Sequence, residues 1–147
     1  MSRPYFYASA ADVSAKLAGF NITATSKPSA TQVDRLLANA SDELDSILVV
    51  LDYAVPVATA ATQSMEMLRS WTAVGAAYMT AMSMPQGNQS KHAEEYGKEW
   101  QAILKSVEGG RRQLPDAERV QNRAAARAGA PDRCAPVFNR ANSQSMR

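Results

Sequence analysis

The large apolar residues of this 147-residue chain lie almost entirely before Val107. After Gly110 the types Leu, Ile, Val, Met, Phe, Tyr and Trp are represented only by Leu114, Val120, Val137, Phe138 and Met146. A core forms only where apolar side chains are dense enough to offset the entropy lost on ordering the chain. Residues 1–110 meet that condition and residues 111–147 do not. The sequence therefore predicts a folded head over 1–110 and an extended basic C-terminal arm over 111–147. One domain is expected at this length, and an apolar fraction of 46% suffices for one core.

Charge divides at the same place. Residues 1–110 carry 8 Lys/Arg against 11 Asp/Glu, a net of −3, whereas residues 111–147 carry 8 Arg against 3 acids, a net of +5. An arginine-only arm suits bidentate contacts to carboxylate or phosphate. It implies an acidic protein surface or nucleic acid as its partner.

Inside the head the apolar period is helical, and the fold class expected is all-α, a small bundle of about four helices. Ser9 with Asp12 reads as a capping box opening a short helix that carries Val13 and Leu17 and ends at Gly19. Ser29 with Gln32 opens the clearest element. Val33, Leu36, Leu37, Ala40, Leu44, Ile47, Leu48 and Leu51 recur there in steps of three and four. Asp52 to Pro56 breaks that period.

A third helix, capped at Thr59 or Thr62, carries Met65, Leu68, Trp71, Thr72, Gly75, Tyr78, Met79 and Met82, and stops at Pro85 and Gly87. Its patch Ala73, Gly75, Ala76, Ala77 lets another helix approach closely. A fourth helix, capped at Ser90, presents Ala93, Tyr96, Trp100, Ile103, Leu104 and Val107 and ends at Gly109-Gly110. Trp71 and Trp100 read as core residues, and the methionines as packing.

Residue types for catalysis do not converge. There is no glycine-rich phosphate loop and no nucleophile elbow. The single cysteine, Cys134, allows no intrachain disulfide, and the single histidine, His92, has no Glu-x-x-His partner for a carboxylate metal site. No enzyme activity, metal or cofactor is expected. No stretch reads as a membrane span, and MSRPYFY lacks an apolar signal core, so a soluble chain made in the cytoplasm is expected.

Binding candidates remain. Arg119, Arg123 and Arg127 are spaced by four, which on a helix aligns them along one side. With Arg111, Arg112, Leu114, Arg133, Val137, Phe138 and Arg140 they are the candidate docking residues of the arm. Asp42 and Asp45 share one helix side, and with Met65, Arg69 and Met82 are the candidates for a subunit contact. A nucleic-acid-binding helical protein with a basic tail is the alternative. The acidic head and the scarcity of arm aromatics for base stacking weigh against it.

The stretch Ser26 to Val57 resembles the head–tail connector adaptors of tailed bacteriophages. Their helix pattern x-V-x-x-x-L-x-x-A-S-x-x-I-D-x-x-L is met by Ala40, Ser41, Leu44, Asp45 and Leu48, with Leu44 where Ile is common, followed by Tyr53 and Pro56 of the Tyr-x-x-Pro signature. A helix rich in Ala and aromatics (Leu68 to Met79) and a final helix with a glycine exit (Glu108-Gly109-Gly110, then Leu114-Pro115) continue the order over about 1–115. The resemblance implies a homo-oligomeric, twelve-fold ring beneath the portal protein, in the virion at the head–tail interface. The arm would lock onto the portal, the far side would receive the next connector or tail component, and genomic DNA would pass through the lumen without specific binding. No membrane is involved.

Overall fold

The computed structural model describes residues 6–18, 20–85 and 90–120. The two strongest start signals open helices where they stand. Ser9 and Ser29 are the N-caps of α1 (Ala10–Lys16) and α2 (Ala30–Val50). Each closes a capping box: the Asp12 carboxylate accepts from the Ser9 N–H at 2.8 Å, and Gln32 Oε1 from the Ser29 N–H at 2.9 Å. Each box satisfies two backbone donors that the first turn leaves without a helical partner.

The third and fourth helices are α3 (Thr62–Ser83) and α4 (Ser90–Glu108). Ser90 is thus the first helical residue of α4 rather than the residue before it. The fold is a small all-α bundle. Among the described residues, extended backbone pairs only at an isolated antiparallel bridge, Tyr53 with Arg119.

α3 packs against α1, α2 and α4. Residues 71–77 are buried without a break, so this middle stretch is covered all round rather than along the single stripe its sequence suggests. Small side chains make this possible. A Cβ on Gly75 would stand 2.9 Å from the Trp100 ring on α4, and one on Gly97 of α4 would stand 2.9 Å from the Tyr78 ring on α3. Each helix thus gives the other's aromatic ring a place to lie. Trp100 is fully buried there, and its indole N–H donates to Glu43 Oε2 on α2 at 3.3 Å.

The inner face of α2 is formed by Val33, Leu37, Ala40, Ser41, Leu44, Asp45 and Leu48, all buried. Burying each large apolar side chain among them contributes about 1.5–3 kcal/mol. Asp45 sits in this face because Tyr7 follows it in. The Tyr7 hydroxyl donates to Asp45 Oδ1 at 2.6 Å and accepts from the Val57 N–H at 3.0 Å. One phenol thereby ties the N-terminal segment to α2 and to the connection after it.

α2 and α4 stop in the same way. At α2 the Tyr53 N–H bonds to Leu48 O at 3.0 Å and the Asp52 N–H to Val49 O at 3.1 Å, with Asp52 at φ 62°. At α4 the Arg111 N–H bonds to Ser106 O at 2.9 Å and the Gly110 N–H to Val107 O at 3.0 Å, with Gly110 at φ 70°. Both are Schellman terminations with a left-handed residue just past the cap.

The head does not end at Gly110. Residues 111–120 return across it as a strap, with Leu114 buried and Ala117 packed against the core. The strap is held by backbone bonds from Ala54 N to Glu118 O at 2.9 Å and from Val120 N to Asp52 O at 2.7 Å. The predicted boundary moves accordingly to about residue 120. Scarcity of apolar residues hid this, because one Leu and a set of hydrogen bonds anchor the strap. Within residues 1–120, 11 Lys/Arg stand against 13 Asp/Glu, a net of −2, which leaves +4 for 121–147.

Candidate functional site

Residues 111–120 open the predicted docking arm, so the strap is the first surface of functional interest. It is built around two aromatics and one helix N-terminus. Tyr53, buried just past α2, accepts through its hydroxyl from the Leu114 N–H at 3.2 Å and from Arg119 Nη2 at 3.0 Å. The Arg119 guanidinium also lies 4.8 Å from the Tyr53 ring centroid, and that of Arg112 lies 5.7 Å from the Trp71 centroid. Both are cation–π contacts.

The helix N-terminus is that of α3. Its N-cap is Ala61, whose methyl cannot accept a hydrogen bond, and neither Thr59 nor Thr62 fills the role predicted for it. Asp116 does so from the strap. Its carboxylate accepts from the Gln63 N–H at 3.1 Å, from the Ser64 N–H at 2.8 Å and from the Ser64 hydroxyl, which accepts in turn from the Asp116 N–H at 3.4 Å. The Ser64 hydroxyl, followed by the backbone donors, holds the Asp116 carboxyl below its ordinary range.

Three of the predicted docking residues contact the head: Leu114 is buried in it, whereas Arg112 and Arg119, lying over the Trp71 and Tyr53 rings, stay exposed. Arg111 is exposed within the strap. Arg123, Arg127, Arg133, Val137, Phe138 and Arg140 lie outside the described residues, as does Cys134.

The proposed subunit-contact residues also separate. Asp45 is buried and bonded to Tyr7, and is therefore not on an outer surface. Asp42 is exposed on α2. Met65 is half-buried in a cleft of about 250 Å³ lined also by Phe6, Tyr7, Pro56 and Val57. Arg69 reaches from α3 to α1, where Nη2 donates to Asp12 Oδ1 at 2.6 Å and Nε to Oδ2 at 3.0 Å. Hydrogen bonding to Arg69 lowers the Asp12 carboxyl from its usual range to about 2. Met82 is 53% exposed beside an open groove of about 750 Å³ between α3 and α4, whose lining includes Tyr78, Gly97, Lys98, Gln101 and Lys105.

Sequence reasoning missed Asp116 and, although the aromatic start of the chain is expected to pack on the body, the bond from Tyr7 to Asp45. The signal for Asp116 is indirect: α3 has alanine where a capping side chain belongs, so its cap has to come from elsewhere. Among the described residues no cluster of His, Cys, Asp and Glu has a metal-holding arrangement, and no helix is long and apolar enough to cross a membrane. Compared with family models, curated proteins and solved structures, the chain matches none.

Proposed function

We propose that the chain is a structural head–tail connector adaptor of a tailed bacteriophage. In this reading the four-helix head forms the wall of a ring beneath the portal, and the basic segment after Val120 docks on the portal. The observation that carries the reading is where the signature residues lie. Ala40, Ser41, Leu44, Asp45 and Leu48 form one buried face of α2, and Tyr53 is the buried post on which the strap is fastened. The resemblance thus rests on residues that organise this head, in the helix order that the adaptors share.

A fastened strap suits a part that has to transmit load. Pull on the arm is passed through Tyr53, Ser64 and Trp71 into three places of the head instead of unravelling α4 from its end. The net negative head suits a channel wall, since a surface that does not hold phosphate lets DNA slide. Repetition around a ring makes individually weak arm contacts lasting.

The test is electron microscopy of the purified protein mixed with the portal protein of its phage. Stacked rings are expected. Protein that leaves the portal bare and binds DNA with a steep salt dependence overturns the reading.

A further inference from the structure

The head carries two apolar features on different elements. One is a knob at the end of α2, where Val49 is 54% and Val50 80% exposed. Val120, also exposed, is joined to the same place by its bond to Asp52 O, whose own N–H bonds to Val49 O. The other is the α3–α4 groove, with Tyr78, Met82 and Gly97 along its floor.

Their charges are opposite. Asp52 is exposed at the knob with Glu118 and Arg119 of the strap at the same corner, and Asp42 and Glu43 are exposed about two turns earlier on α2, so acid prevails on this side. The groove is lined by Glu94, Lys98 and Lys105, and Glu94 is bound by Lys98 at 2.7 Å, so Lys105 sets its net sign. A two-fold contact of knob with knob would bring acid against acid, and one of groove with groove would bring Lys105 against its copy. A head-to-tail contact pairs acid with base and buries both apolar patches.

We propose that the α3–α4 groove receives the Val49–Val50 knob of a second copy of this chain. The two faces differ, so each copy offers one knob and one groove, and the contact propagates from copy to copy. Repetition closes a ring when the rotation permits and builds a filament when it does not. As the wall contact of a connector ring it rests on the adaptor reading, but it is tested separately.

The experiment uses the full chain with Cys134→Ser as background and two single variants, Val50→Cys and Gln101→Cys. Under copper-phenanthroline oxidation the mixture of the two variants should form disulfide-linked dimers that neither variant forms alone. A chain carrying both cysteines should form a ladder of linked oligomers. Crosslinking of Val50→Cys with itself, or no crosslink in the mixture, overturns the contact. Val50→Glu, a change at an exposed position, should keep the helical circular dichroism and abolish self-association; assembly that persists overturns the contact. Rings that bind portal without the crosslink remove this contact and leave the adaptor reading standing. Crosslinked oligomers that ignore portal do the reverse.

Discussion

The Asp116 carboxylate caps α3 from 52 residues down the chain, with Ser64 N–H and Oγ both donating to its Oδ1. The arrangement is a capping box divided between two distant segments. Asp116 supplies the acceptor that Ala61 lacks, and Ser64 answers with its hydroxyl. A carboxylate at a helix N-terminus also meets the positive end of the helix dipole. Asp116→Ala should therefore lower the thermal midpoint by a few degrees, and Asp116→Asn by less, because the amide oxygen still accepts one bond. Circular dichroism melts check this; an unchanged midpoint in Asp116→Ala would mean that water replaces the cap without loss.

The strap makes the two natural truncations unequal. A chain ending after Val120 keeps Leu114, the Asp116 cap and the Tyr53 contacts, and should melt close to the intact protein. A chain ending after Gly110 exposes Tyr53 and leaves the first turn of α3 uncapped. It also removes a buried leucine, a loss that costs about 2–5 kcal/mol when such a side chain is cut to alanine. Urea unfolding of both separates them, and equal midpoints would show that the strap contributes nothing to the head.

Legibility of this fold followed the range of the interactions. α1 and α2 were readable because their caps, Ser9 with Asp12 and Ser29 with Gln32, are three residues apart and their stripes repeat within a few turns. The end of α4 was readable because Gly110 marks its own left-handed turn. The strap was not, since Leu114 carries no period and Asp116 makes its bonds to residues 63 and 64. Asp45 misled for the same reason: a carboxylate on a helix reads as an outer residue until Tyr7, 38 positions away, brings it a donor. The break after α2 was readable at Asp52, but the left-handed turn there was not, since it is fixed by backbone bonds from Asp52 and Tyr53 to Val49 and Leu48 and no glycine marks it.

Two glycines on facing helices should respond differently to the same methyl. At Gly75 the new Cβ meets the Trp100 ring at 2.9 Å, and that ring is buried and bonded to Glu43. Overpacking of this kind costs about 1–3 kcal/mol, against a helix-propensity gain of about 1 kcal/mol for replacing glycine by alanine. Gly75→Ala should be destabilising and should perturb tryptophan fluorescence. At Gly97 the neighbour is the half-buried ring of Tyr78, which can swing outward, so Gly97→Ala should be near neutral. Urea denaturation gives both values, and equal losses would show that Tyr78 is as fixed as Trp100.

Asp52 invites a stabilising change. Its φ of 62° is unfavourable for a residue with a Cβ, and the Schellman bonds around it use only backbone atoms. Glycine relieves the strain but enlarges the entropy of the unfolded chain, and the balance at such a position favours glycine by about 0.5–1 kcal/mol. Asp52→Gly should raise the urea midpoint without altering its slope. A lower midpoint would mean that the Asp52 carboxylate has a role in holding the Val49–Val120 corner.

The ion pair that fastens α3 to α1 should reveal itself through acid. Asp12 caps α1 and accepts two Arg69 donors, chiefly for which its carboxyl falls to about 2 in the folded chain. Unfolded, the same group titrates at its ordinary value, near 3.8. A carboxyl whose pKa is depressed by folding stabilises the fold fully above its unfolded value and loses that contribution as pH falls through the folded one. The Arg69 side chain is 62% exposed, so solvent screening keeps the effect modest, and added salt should reduce it further. Arg69→Ala should therefore melt below the wild type at neutral pH. The gap should persist to about pH 4 and close as pH approaches about 2. Melts across that range decide the matter: a gap that stays constant down to the lowest pH would mean that Arg69 acts by packing its stem along α1 and not by its charge.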